Sequence, residues 1–170
     1  MDAKTFIQQQ MVNVRNMVED AMTDLTEDQF NWQPPGKVNP ISATLIHLFS
    51  GEDMFIQELI QGKPQGWELQ GWSKKIGIQS PPGGPGNGWE DCKNARICIE
   101  PVMAYGRAIW ADMDAYLAEM SAEELDRQVN FFGRMLPVAE LLMIIVVHSA
   151  CHAGEIAAVK GMQGIKGWSF

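Results

Sequence analysis

The sequence predicts an all-α protein, a four-helix bundle carrying one long irregular insert between its second and third helices. Three observations predict it. Apolar residues recur at three- and four-residue steps over four separate stretches, the period of helices buried along one side. No stretch alternates apolar and polar residues convincingly, as half-buried strands do. One segment, 63–90, concentrates glycine, proline and tryptophan without any period. At 170 residues, 46% hydrophobic and 20% charged, the chain can bury a sizeable core and reads as a single domain over 1–170.

The first helix is expected over 3–23, with Phe6, Ile7, Met11, Val14, Met17, Val18, Ala21 and Met22 on its apolar side. A turn-rich connection, "TEDQFNWQPPGKVNP", follows. Asn39-Pro40 starts the second helix, since asparagine caps well and proline suits a first helical position where its missing N–H goes unmissed. That helix runs over roughly 40–61, with Leu45, Leu48, Phe49, Phe55, Ile56, Leu59 and Ile60 as its apolar side, and Gly62 and Pro64 end it. The insert holds Trp67, Trp72 and Trp89. A loop of that length in a compact domain is a lid over a site, or a strap pinned down by its own aromatics. The third helix is expected from about Glu100-Pro101 to Met120. "SAEE" at 121–124 has the capping-box pattern of a short restart. The fourth helix runs from about Pro137 to Met162 and is nearly all apolar in its first half, as the most buried helix of a bundle would be.

Charge and cysteine usage narrow the partners. A net charge of −8 and a pI near 4.8 argue against nucleic-acid binding, which asks for a basic face. The N-terminus lacks an apolar block of signal-peptide length. The longest apolar run, Leu141–Val147, lies between Glu140 and His148 and is too short to span a bilayer. Cys92, Cys98 and Cys151 are odd in number and show no CxxC spacing, so cytoplasmic thiols are expected, with no membrane partner.

The chain's three histidines all fall inside predicted helices. His148 and His152, in "VVHSACHAGEI", are four residues apart and therefore share one helix face. His47 sits on the second helix among Ile46, Leu48 and Phe49. Buried imidazoles without partners are costly, and a shared cation would satisfy all three. The ordinary alternative is three separate hydrogen-bonded core histidines. The pair is not a zincin motif, because Ser149 stands where HExxH has its glutamate. Glu155, one turn past His152 on the same face, is a candidate ligand, catalytic base, partner to a ligand, or plain surface carboxylate. Cys151 reads as a small buried apolar residue.

The stretch "HSACHAGEIAAVKGMQGIKGW" (148–168) resembles the last helix of the DinB-like (DinB/YfiT-like) metalloenzyme superfamily. "NPISATLIHLFSGED" (39–53) is similar to that family's second helix, "LTEDQFNWQPP" (25–35) to the loop before it, and "AEELDRQV" (122–129) to the stretch after its third helix. The resemblance covers nearly the whole chain and is most specific around the histidines; the 63–90 insert does not align. It implies a four-helix bundle of up-down-down-up topology, often a homodimer. It also implies a metal triad carried here by His47, His148 and His152, holding a divalent transition metal, zinc or nickel. Relatives include enzymes that use a low-molecular-weight thiol, so a small-molecule substrate and a thiol partner are implied. Glu155 inherits no family-wide role.

Three neutral histidines would leave coordination positions open, as in catalytic rather than structural sites. Such an ion lowers the pKa of a bound thiol or water. The resemblance favours a thiol S-transferase-like enzyme. A metal-dependent hydrolase and a non-catalytic, stress-related dimeric bundle remain as alternatives.

Overall fold

The computed structural model describes residues 1–84, 86 and 88–169. Pro85 and Asn87 of the expected insert and the C-terminal Phe170 lie outside the described residues. The first helix, α1 (Ala3–Met22), begins where the Asp2 side chain accepts the Thr5 N–H. The short α2 (Glu27–Phe30) opens with a reciprocal cap between Thr26 and Gln29. α3 (Ile41–Asp53) starts one residue later than the Asn39-Pro40 pair suggested, with Pro40 itself at the cap. It then widens into a π-helical segment, Met54–Ile60, so the expected 40–61 helix changes hydrogen-bond register in its second half.

The insert is less irregular than its composition implied. It folds into three short helices, α4 (Gly66–Leu69), α5 (Trp72–Ile76) and α6 (Gly88–Asn94), joined by turns. Glycines carry the positive φ angles that end such short pieces, as Gly71 and Gly77 do around α5. α7 (Ile99–Glu119) follows, then a 3₁₀ turn at Glu123–Asp126.

A two-stranded antiparallel hairpin, β1 (Gln128–Phe131) and β2 (Arg134–Pro137), leads into α8 (Val138–Met162). The hairpin was not expected. Its two-residue turn is Phe132-Gly133, with φ of 49° and 88°. Both angles are those of a tight hairpin turn, but phenylalanine is an unusual residue to hold one.

α8 packs along α1 and α3, and α3 packs along α7. One layer of the core gathers Phe49, Tyr105, Ile109, Trp67 and Trp72; the other gathers Phe55, Ile56, Met113, Leu141, Leu142 and Ile145. Gly106 permits the close approach of α3 to α7, since a methyl group there would lie 2.3 Å from the Phe49 ring. By length and composition α8 as a whole, unlike the short run inside it, could cross a membrane. In this fold it packs against α1 and α3 with only 39% of its most apolar 18-residue stretch buried, and Met143, Val147 and Cys151 face outward, so it is not the fully buried helix its composition suggested.

Candidate metal centre

The site begins with one face of α8 and one turn of α3. His148 and His152 lie on the same side of α8, with their Nε2 atoms 3.1 Å apart. His47 comes from α3, and its Nε2 lies 3.5 Å from that of His148. Each histidine offers a ring nitrogen, and the three offered atoms all fall within 4.8 Å of one another. Nitrogens bound to one tetrahedral zinc at about 2.05 Å stand roughly 3.3 Å apart. The separations of 3.1 and 3.5 Å bracket that figure.

The outer ring nitrogens fix which atoms face inward. His47 Nδ1 lies 3.0 Å from the Pro82 carbonyl. A carbonyl only accepts, so Nδ1 carries the hydrogen and Nε2 presents a lone pair. His152 Nδ1 lies 2.6 Å from Glu155 Oε2, so Nδ1 carries the hydrogen and, in the neutral ring, Nε2 is the atom with the lone pair. Two lone pairs therefore flank His148 Nε2. One hydrogen on that atom can satisfy only one of them, whereas a shared cation satisfies all three nitrogens. The donor set fits a divalent transition ion that accepts imidazole nitrogen.

For His148 and His47 the electrostatics agree with neutral rings. Burial pushes the pKa of His148 down to about 3, with further lowering from the neighbouring His152 and His47. Burial lowers His47 as well, against a smaller upward effect of its Pro82 hydrogen bond. His148 Nδ1 is buried without a hydrogen-bond partner.

Two glycines make the geometry possible. A Cβ on Gly51 would stand 2.8 Å from His148 Cε1, and one on Gly83 would stand 2.6 Å from His47 Nδ1. Gly51 lets the His148 ring lie against α3. Gly83, with φ of 86°, lets the insert close over His47. Trp89 packs beside His47 at 5.0 Å between ring centres.

Two buried carboxylates sit just behind the triad. Their only trace in the sequence is "SGED", two adjacent acids inside an apolar helix. Glu52 accepts from Ser149 Oγ at 2.5 Å and from Trp110 Nε1 at 2.9 Å. It thereby ties α3, α7 and α8 together one residue away from His148. Burial raises its pKa to about 7. Asp53 accepts the Gly66 and Trp67 N–H groups, both at 2.9 Å, and the Tyr105 hydroxyl at 2.8 Å. It fastens the start of the insert to the bundle. Trp67 and Trp72, each centred 5.4 Å from Tyr105, complete that fastening and act as pins.

Between α3 and the insert lies a cavity of about 890 Å³. His47, Ser50, Gly51, Met54 and Glu58 form its helical wall, and residues from Gln65 to Gly84 form the other. Only His47 of the three histidines reaches it, so the cavity adjoins the triad rather than enclosing it. Glu155 stays on the outer surface, 59% exposed at the side chain. Cys151, expected to be buried, is exposed.

Comparison with known proteins agrees with the fold. A family model described as the DinB superfamily matches residues 10–156. The crystal structure of a conserved protein from Enterococcus faecalis superposes with a TM-score of 0.80, covering 94% of this chain and 96% of that one at 14% identity. At that identity the likeness concerns the fold alone. No curated protein matches the chain.

Proposed function

Because this chain belongs to the DinB superfamily, we propose that it is a metal-dependent enzyme that turns a thiol against a small electrophilic substrate. His47, His148 and His152 would hold a divalent transition ion, zinc or nickel. The observation that carries this reading is the convergence of three ring nitrogens, two with their hydrogens committed to Pro82 and Glu155 on the far side. When bound, the ion supplies a positive charge that favours the ionised form of a nucleophile in an open coordination position.

The chain's own residues do the rest. His47 stands in both the triad and the cavity wall, so a ligand lying along Ser50, Met54 and Glu58 would have its end beside His47. On the insert side, the Pro82 carbonyl orients the His47 ring and Trp89 packs beside it. Among the described residues no carboxylate joins the ligand cluster. A thiol, with a free pKa of about 8.5, needs less help from a base than water does, which supports thiol transfer over hydrolysis. A cytoplasmic location and a homodimer accord with this reading.

The test begins with metal analysis of tag-free protein. It is expected to carry zinc or nickel, and His47→Ala and His148→Ala are each expected to lose it while remaining folded. Retention of metal by both variants, or failure of the wild type to take up either ion, refutes the reading. Assays pairing several low-molecular-weight thiols with electrophiles, run beside activated esters, then separate transfer from hydrolysis.

A further inference from the structure

We propose that Glu155 is a positioning residue of the metal centre: it holds the His152 ring with its hydrogen on Nδ1, so that Nε2 faces the ion bare. The inference rests on the metal-binding reading above and deepens it. Glu155 follows His152 by three residues on α8, so its carboxylate comes round to the same side one turn on. The contact is short, 2.6 Å, and it is made to the ring nitrogen that points away from the other two histidines. The carboxylate belongs to no group of atoms that converges on the ion position. Glu155 therefore touches the ligand and not the metal.

The three ligands are held in three different ways, which is why Glu155 matters. His47 is oriented by the backbone carbonyl of Pro82. His148 is wedged against Gly51, with Phe55 centred 5.8 Å from its ring. His152 has no such anchor among the described residues: the partner of its Nδ1 is the Glu155 side chain. Without Glu155 the ring, packed 4.4 Å from His148 and 4.9 Å from His47, would lose the acceptor that keeps its hydrogen on Nδ1 and could place it on Nε2, where it would block the ion. The carboxylate also adds negative charge behind an otherwise neutral ligand set, raising the donor strength of Nε2.

The test uses the full chain, stripped of metal, and compares wild type with Glu155→Gln, Glu155→Ala and His152→Ala. Zinc affinity is read by competition with a chromophoric chelator. Glu155→Ala is expected to bind zinc about 10–100-fold more weakly. Glu155→Gln, which keeps an acceptor oxygen but not the charge, is expected to fall between. Metal-free melting should be the same in all the Glu155 variants. Wild-type affinity in Glu155→Ala overturns the proposal. So does a loss as complete as that of His152→Ala, which would make Glu155 a ligand.

A second readout needs no metal. Nitrogen-15 spectra of the metal-free protein should show the hydrogen of His152 on Nδ1 in wild type and Glu155→Gln, and moved to Nε2 in Glu155→Ala. An unchanged tautomer overturns the proposal. If wild type takes up no zinc although the tautomer moves, the metal-binding reading itself has failed, and the metal-positioning role falls with it. If wild type binds zinc and Glu155 has no influence, only the present inference is lost.

Discussion

Replacing Gly51 with alanine is expected to weaken metal binding while leaving the metal-free bundle as stable as before, or more so. The added methyl would stand 2.8 Å from His148 Cε1 and 3.3 Å from Nε2. Ordinary contact begins at 3.4 Å, so the ring must retreat by about 0.6 Å. Metal–ligand distances tolerate about 0.2 Å either way. The retreat therefore exceeds what the coordination can absorb, and a loss of about 10–100-fold in affinity follows, or about 1.4–2.8 kcal/mol. The backbone effect has the opposite sign. Gly51 is interior to α3, where alanine is favoured over glycine by roughly 0.5–1 kcal/mol. Zinc titration against a chelator gives the first quantity, and thermal melting of the stripped protein gives the second. Wild-type affinity in Gly51→Ala would show that His148 does not meet the ion from this position. A collapse of metal-free stability would show that the helix, rather than the ring, takes up the strain.

Other outcomes follow from the carboxylates behind the triad. Glu52 is buried, and its pKa is raised from 4.5 to about 7, so the folded state holds its proton more tightly than the unfolded one. Stability from this group is present below pH 4.5 and is lost as pH rises toward 7, by an amount on the order of 3 kcal/mol. Glu52→Gln can donate to Ser149 Oγ while that hydroxyl turns to the Ile145 carbonyl. The melting temperature of metal-free Glu52→Gln should therefore rise relative to wild type across that interval, and parallel pH profiles would refute the assignment. Asp53→Ala leaves the Gly66 N–H, the Trp67 N–H and the Tyr105 hydroxyl without their acceptor, a cost on the order of 3–5 kcal/mol. Urea unfolding should show it, together with faster proteolysis within 63–90; wild-type resistance to both would mean that the insert is held elsewhere. Tyr105→Phe removes only one of these bonds and should cost about 1 kcal/mol in the same assay.

What could be read from the sequence follows the range of the interactions involved. The helices were legible because burial along one face leaves a three- and four-residue trace in any stretch long enough to repeat it. The same periodicity put His148 and His152 on one side of α8, since that relation is local. The hairpin left no such trace: its strands are four residues each, and its turn is Phe-Gly rather than a pair such as Asn-Gly. The helices inside the insert were hidden for a similar reason, being too short to show a period.

The amino-acid order by itself determined the helical class of this protein, the pairing of two histidines on its last helix, and the presence of a third on its second. Only the tertiary structure decided that His47 lies level with the pair, because the level depends on how α3 slides along α8 and not on spacing within either helix. It also decided that Pro82 and Glu155 turn two of the rings inward, that Gly51 and Gly83 leave room for the rings, and that Glu52 and Asp53 lock the surrounding elements. These are contacts between residues that are distant in the chain or fixed by rotamer, and both are settled only when the core packs.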